Sequence, residues 1–98
     1  KGKPCRVFQI HVTSPKSFLS FETSAALLQA VLATHPDEFG WKPPPYEYEF
    51  EKRPIDLILG DAEVRRNLAA GIQIEKLKQS WRKDLDEFEK ARGNLLLY

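Results

Sequence analysis

Two groups of residues in this sequence carry side chains able to do chemistry at a spacing that brings them together. The first is Gln9 and His11, two apart in the run Arg6-Val7-Phe8-Gln9-Ile10-His11-Val12. Alternate residues of an extended chain share a face, so the amide and the imidazole point the same way. Such a pair either binds a ligand or moves a proton, since histidine titrates near neutrality. The other reading is that a neighbouring loop or another domain satisfies both groups, because polar side chains on a covered face need partners.

The second group is aromatic and acidic: Trp41, then Tyr46-Glu47-Tyr48-Glu49-Phe50-Glu51. Sugars and other flat-faced ligands stack on aromatic rings while nearby polar groups bond their hydroxyls. Tyr48 and Phe50 alternate and are read as the core face of a strand, with the glutamates solvated. Trp41 and Tyr46 flank Pro43-Pro44-Pro45, a stiff bend, and are open to either role. The basic pairs Lys52-Arg53 and Arg65-Arg66 are read as solvated surface, since adjacent residues diverge on a helix. The sequence has no Gly-rich phosphate loop, no His/Cys set at ligand spacing and no nucleophile elbow. No carboxylate spacing marks a catalytic pair, and neither cofactor nor metal is expected. Cys5, the single cysteine, rules out an internal disulfide.

The elements that would position these groups follow from periodicity. Residues 6–12 alternate, with Phe8, Ile10 and Val12 on one side, and predict a strand ended by Thr13-Ser14-Pro15. Residues 23–34 predict a helix with Leu27, Leu28, Val31 and Leu32 as its apolar stripe and Thr23 or Ser24 as its cap. Residues 46–51 predict a second strand. Pro54 opens a short helix closed by Gly60. Asp61 caps another, over residues 62–70, closed by Gly71. Residues 74–92 predict the longest helix, with Ile74, Leu77, Trp81, Leu85 and Phe88 as a continuous buried face. Leu95-Leu96-Leu97 predicts a terminal strand. The expected fold is therefore α+β (or small α/β): a three-stranded mixed sheet backed by about four helices, in the order β-α-β-α-α-α-β.

Length and composition bound the function. Ninety-eight residues, 42% apolar and 30% charged, suit one soluble domain covering residues 1–98. A net charge of +1, from 15 basic and 14 acidic residues, gives no reason to expect nucleic acid as a partner. No apolar run approaches the length of a membrane span. The chain opens on Lys1-Gly2-Lys3 without methionine and ends on apolar residues. It is expected to be the C-terminal piece of a larger, two-domain protein.

Five stretches in order also carry a resemblance. They are Val7-Phe8-Gln9-Ile10-His11-Val12-Thr13, His35-Pro36-Asp37-Glu38-Phe39-Gly40-Trp41, Pro45-Tyr46-Glu47-Tyr48-Glu49, Arg53-Pro54-Ile55-Asp56-Leu57-Ile58-Leu59-Gly60, and Ser80-Trp81 followed by Phe88 and the Leu-Leu-Tyr end. Together they resemble the C-terminal domain of the bacterial exo-β-N-acetylmuramidases. The resemblance implies a preceding Rossmann-like catalytic domain and a cleft between the two domains. It implies removal of terminal N-acetylmuramic acid from peptidoglycan fragments outside the cytoplasm. The principal catalytic carboxylate of that family lies in the other domain, so no catalytic residue is carried onto this chain. Gln9, His11, Tyr46, Tyr48 and Glu49 are carried as cleft or interface candidates, with Trp41 beside them, and Asp56 as a cap or hydrogen-bond acceptor. The expected role is an accessory domain that completes the cleft and is inactive alone. The alternatives are an independent protein-interaction module and a purely structural cap.

Overall fold

The structure, a computed structural model, describes residues 2–96. These residues form four helices in the order α1 (Ser20–Thr34), α2 (Pro54–Leu59), α3 (Ala62–Ala69) and α4 (Ile74–Gly93). No sheet forms among the described residues; their one β feature is an antiparallel bridge between Tyr46 and Glu49. The expected three-stranded mixed sheet is therefore corrected to an all-helical fold with long non-helical segments.

The reason lies in what the apolar alternations meet. Residues 6–12 run without regular structure, leaving Val7 81% and Phe8 90% exposed. Alternation chooses a face, but a strand needs a partner, and even a lone hairpin is marginal in water. The second expected strand reverses on itself at Glu47-Tyr48, so it offers no ladder to extend. Leu95 and Leu96 lie exposed beyond α4, without strand structure, and Leu97 falls outside the described residues. They are about 30 Å along the helix from its packed start.

The helices follow the sequence more closely. Pro54 takes the first turn of α2, where its missing N–H costs nothing, and Gly60 ends it at φ +80°. Asp61 caps α3, its Oδ1 accepting from the Glu63 amide at 2.7 Å. Beyond α3, the Gly71 amide donates to the Leu68 carbonyl at 3.1 Å and the Ile72 amide to that of Asn67 at 3.0 Å. That double bond is a Schellman ending, and Gly71 supplies its left-handed residue at φ +75°. Helix α1 begins three residues before the expected start, and Thr23 donates back to the Leu19 carbonyl at 2.8 Å rather than capping.

Ala25, Leu68 and Leu77 are buried and form the centre of the core. Leu28, Leu32, Leu59, Val64, Ile74 and Trp81 pack around them, so the core is where α1, α3 and the start of α4 meet. The face α1 turns inward is Ala25, Leu28 and Leu32; Leu27 and Val31 of the expected stripe are exposed. On α4, Leu77 is buried, but Leu85 and Phe88 are 55% and 60% exposed. The continuous buried face expected there stops after two turns. Polar groups tie the bundle together. The Arg65 Nε donates to the Asp56 Oδ1 at 2.5 Å, joining α3 to α2, so Arg65 is not the solvated cation expected. Lys78 Nζ lies 3.1 Å from Glu22 Oε2, joining α4 to α1. Gln29 Nε2 donates to the carbonyls of Ile72 at 2.7 Å and Leu68 at 3.4 Å, fastening α1 to the Schellman turn.

The core occupies only part of the molecule. The Cα radius of gyration is 16.8 Å, against roughly 13 Å for a compact domain of about 100 residues. The accessible surface is 8900 Å², against about 5,700 Å² for a folded monomer of 11.3 kDa. No helix among the described residues is long and apolar enough to cross a membrane.

Candidate functional site

The segment from Trp41 to Lys52 gathers most of the candidate residues. Trp41 is half-buried because Phe39 meets it edge-on, with ring centroids 4.8 Å apart at 84°. The Pro44–Pro45 peptide is cis. Tyr46 and Glu49 then exchange backbone hydrogen bonds, Tyr46 N–H to Glu49 O at 2.9 Å and Glu49 N–H to Tyr46 O at 3.0 Å. This closes a two-residue hairpin. Glu47 has φ +53°, and positive φ at the first central residue suits the primed turns that match strand twist. A glutamate holds that conformation at a cost of about 1 kcal/mol.

The turn lifts Tyr48 into solvent, 95% exposed, while Tyr46 stays half-buried at its base. Glu49 has a local task. Its Oε1 accepts from the amides of Glu51 at 2.8 Å and Lys52 at 3.0 Å, turning the chain toward α2. These two hydrogen bonds, chiefly that from Glu51, stabilise the carboxylate and lower its pKa, with the Lys52 charge adding to them. A glycosidase acid needs its pKa raised. Glu49 is shifted the other way, so its chemistry is that of an anchored anion.

Gln9 and His11 stand elsewhere. Both are exposed on the extended segment before α1. His11 borders a shallow recess with Thr13, Ser14, Ser17 and Phe18, in which Ser17 Oγ donates to Ser14 Oγ at 2.8 Å. Among the described residues, no hydrogen bond or ion pair joins Gln9 or His11 to the hairpin. The hairpin thus unites Tyr46, Tyr48 and Glu49; Trp41 pairs with Phe39, and Gln9 and His11 take no part in either contact. No group of three His, Cys, Asp or Glu able to hold a metal gathers among the described residues.

Sequence reasoning missed an apolar groove of about 470 Å³ between α1, the α2–α3 junction and α4, lined by Phe21, Leu59, Val64, Trp81 and Leu85. Phe21 meets Trp81 edge-on across it, centroids 5.4 Å apart at 79°. The signal was the Trp81–Leu85 spacing of four, read as core when only its first half is covered.

Comparison with known proteins places the chain. It resembles the "Peptidoglycan beta-N-acetylmuramidase NamZ" of Bacillus subtilis (strain 168), with 22% identity over 98 residues. That match covers all of this chain but 22% of the relative, so the chain spans about a fifth of that protein's length. No solved structure matches. The model of the family "Exo-beta-N-acetylmuramidase NamZ, C-terminal" matches residues 1–98. The chain therefore belongs to the C-terminal domain family of the NamZ exo-β-N-acetylmuramidases.

Proposed function

We propose that this domain completes the substrate cleft of a peptidoglycan exo-β-N-acetylmuramidase, with Tyr48, Tyr46 and Trp41 presenting aromatic faces to a muropeptide. The catalytic carboxylate belongs, in this reading, to a preceding catalytic domain of the same polypeptide, and the whole acts outside the cytoplasm. One observation carries the proposal: the fixed hairpin that holds Tyr48 almost wholly in solvent. A tyrosine at 95% exposure adds nothing to the core, yet two backbone hydrogen bonds and the Glu49 carboxylate fix its approach. A fixed backbone beneath an exposed ring lowers part of the ordering cost of binding. Gln9 and His11 supply a second, polar patch to the same partner or ligand.

The test uses the longer enzyme with a fragment ending in N-acetylmuramic acid. Tyr48→Ala should lower kcat/KM about tenfold, or roughly 1.4 kcal/mol of transition-state binding. Its melting temperature should not move, because the side chain packs against nothing. Wild-type kinetics in both Tyr48→Ala and Trp41→Ala would refute the cleft role and leave a structural cap.

A further inference from the structure

We propose that residues 6–12 are a strand in waiting, which adds to an open β-sheet edge in the part of the polypeptide that precedes this domain. The proposal rests on the accessory-domain reading above and names how the two parts are joined. Among the described residues the segment has no partner. Among the described residues, no backbone or side-chain hydrogen bond involves residues 3–13; the first donors toward this end are Ser17 and Phe18, both to Ser14. Its apolar side chains are equally uncovered: Val7, Phe8, Ile10 and Val12 all stand in solvent.

Those two deficits together choose the occupant. A helix surface or the Phe21–Trp81 groove could cover Phe8 and Ile10, but it offers no row of carbonyls and amides to the backbone. A sheet edge supplies both at once, hydrogen bonds in its plane and an apolar layer on one face. Alternation of Phe8, Ile10 and Val12 against Gln9 and His11 fits that geometry, with one face covered and the other open. The surface has room for such a contact. This chain exposes roughly 3,200 Å² more than a compact monomer of its mass, several times the ~800 Å² each partner gives to a standard interface. The occupant is taken from the same polypeptide because the relative carries more than four times the length of this domain.

Amide hydrogen exchange in the longer enzyme tests it. Added at an edge, the segment should show alternate amides, either those of Val7, Gln9 and His11 or those of Phe8, Ile10 and Val12, slowed about 100-fold or more. The slowing should not depend on protein concentration. Phe8→Asp should reduce it at least tenfold by placing a charge on the covered face. Exchange near the free-peptide rate would overturn the proposal, and slowing that grows with concentration would assign the edge to a second copy and overturn it as well. Release of N-acetylmuramic acid by the same preparation reads the proposed function separately. An active enzyme with unprotected amides sinks the strand alone, and protected amides in an inactive one sink the function alone.

Discussion

Leu77 and Leu85 lie on one stripe of α4, two turns and about 12 Å apart, and the structure assigns them opposite fates. Leu77 is 2% exposed against Ala25 and Leu68, whereas Leu85 is 55% exposed at the mouth of the apolar groove. Leu77→Ala removes about three carbons from a closed core. The lost transfer energy and the cavity left behind sum to about 3–4 kcal/mol. Leu85→Ala loses less than half of a leucine's burial and leaves no cavity, for about 0.5–1 kcal/mol. Urea unfolding followed by helical circular dichroism resolves the two. With a slope of about 1–1.5 kcal/mol/M, Leu77→Ala should lower the midpoint by about 2–4 M and Leu85→Ala by at most about 1 M. Equal shifts would refute the claim that α4 leaves the core after Trp81. In the longer enzyme, a Leu85→Ala cost rising to that of Leu77→Ala would show that another part of the protein covers the groove.

Other contacts give sharper electrostatic readings. The Arg65–Asp56 pair is short, and its side chains are 16% and 13% exposed, so a double-mutant cycle should give about 1–2 kcal/mol of coupling, above the surface norm; zero coupling would contradict the contact. Glu49 has its folded pKa below the ordinary 4.5, so its contribution is present above that value and lost as pH falls through the lower folded one. Its carboxyl resonance should therefore titrate below the ordinary 4.5, and a midpoint at or above that value would mean the Glu51 and Lys52 amides are not bonded to it. Lys78 is shifted upward, chiefly by its hydrogen bond to Glu22. Its contribution is complete below the ordinary 10.5 and is lost as pH rises through the raised value. Glu22→Gln should bring the Lys78 titration back down, and an unchanged midpoint would assign the shift to Glu75 instead.

Local chemistry was legible in the sequence wherever one residue decides a backbone conformation. Pro54, Gly60, Asp61 and Gly71 each mark a helix boundary that the structure keeps, because a missing donor, a left-handed φ or a capping carboxylate acts within four residues. The long period of α4 was legible for the same reason. What periodicity does not encode is how far an apolar stripe is covered. Leu27 and Val31 read as core, yet Ala25 and Gln29 face inward, because α3 crosses α1 on that side. Gln29 gave no signal at all: a glutamine amide becomes structural only when a turn 39 to 43 residues away presents the Leu68 and Ile72 carbonyls to it.

The sheet is the larger correction, and its cause bears on the site. Residues 6–12 and 46–51 both alternate, and alternation is a statement about one face of a strand, not about a neighbour. In 46–51 the pattern was resolved locally, by a turn at Glu47-Tyr48 that takes Tyr48 out of any core and makes it the most exposed aromatic ring among the candidates. In 6–12 nothing local resolves it, so Phe8 and Ile10 remain in water. Leaving such side chains uncovered forgoes about 1.5–3 kcal/mol for each one that full burial would return. A small core centred on three buried residues can spare little of that. The same alternation thus serves two ends: where the chain turns back it displays an aromatic ring, and where it runs straight it presents an edge for another part of the protein to complete.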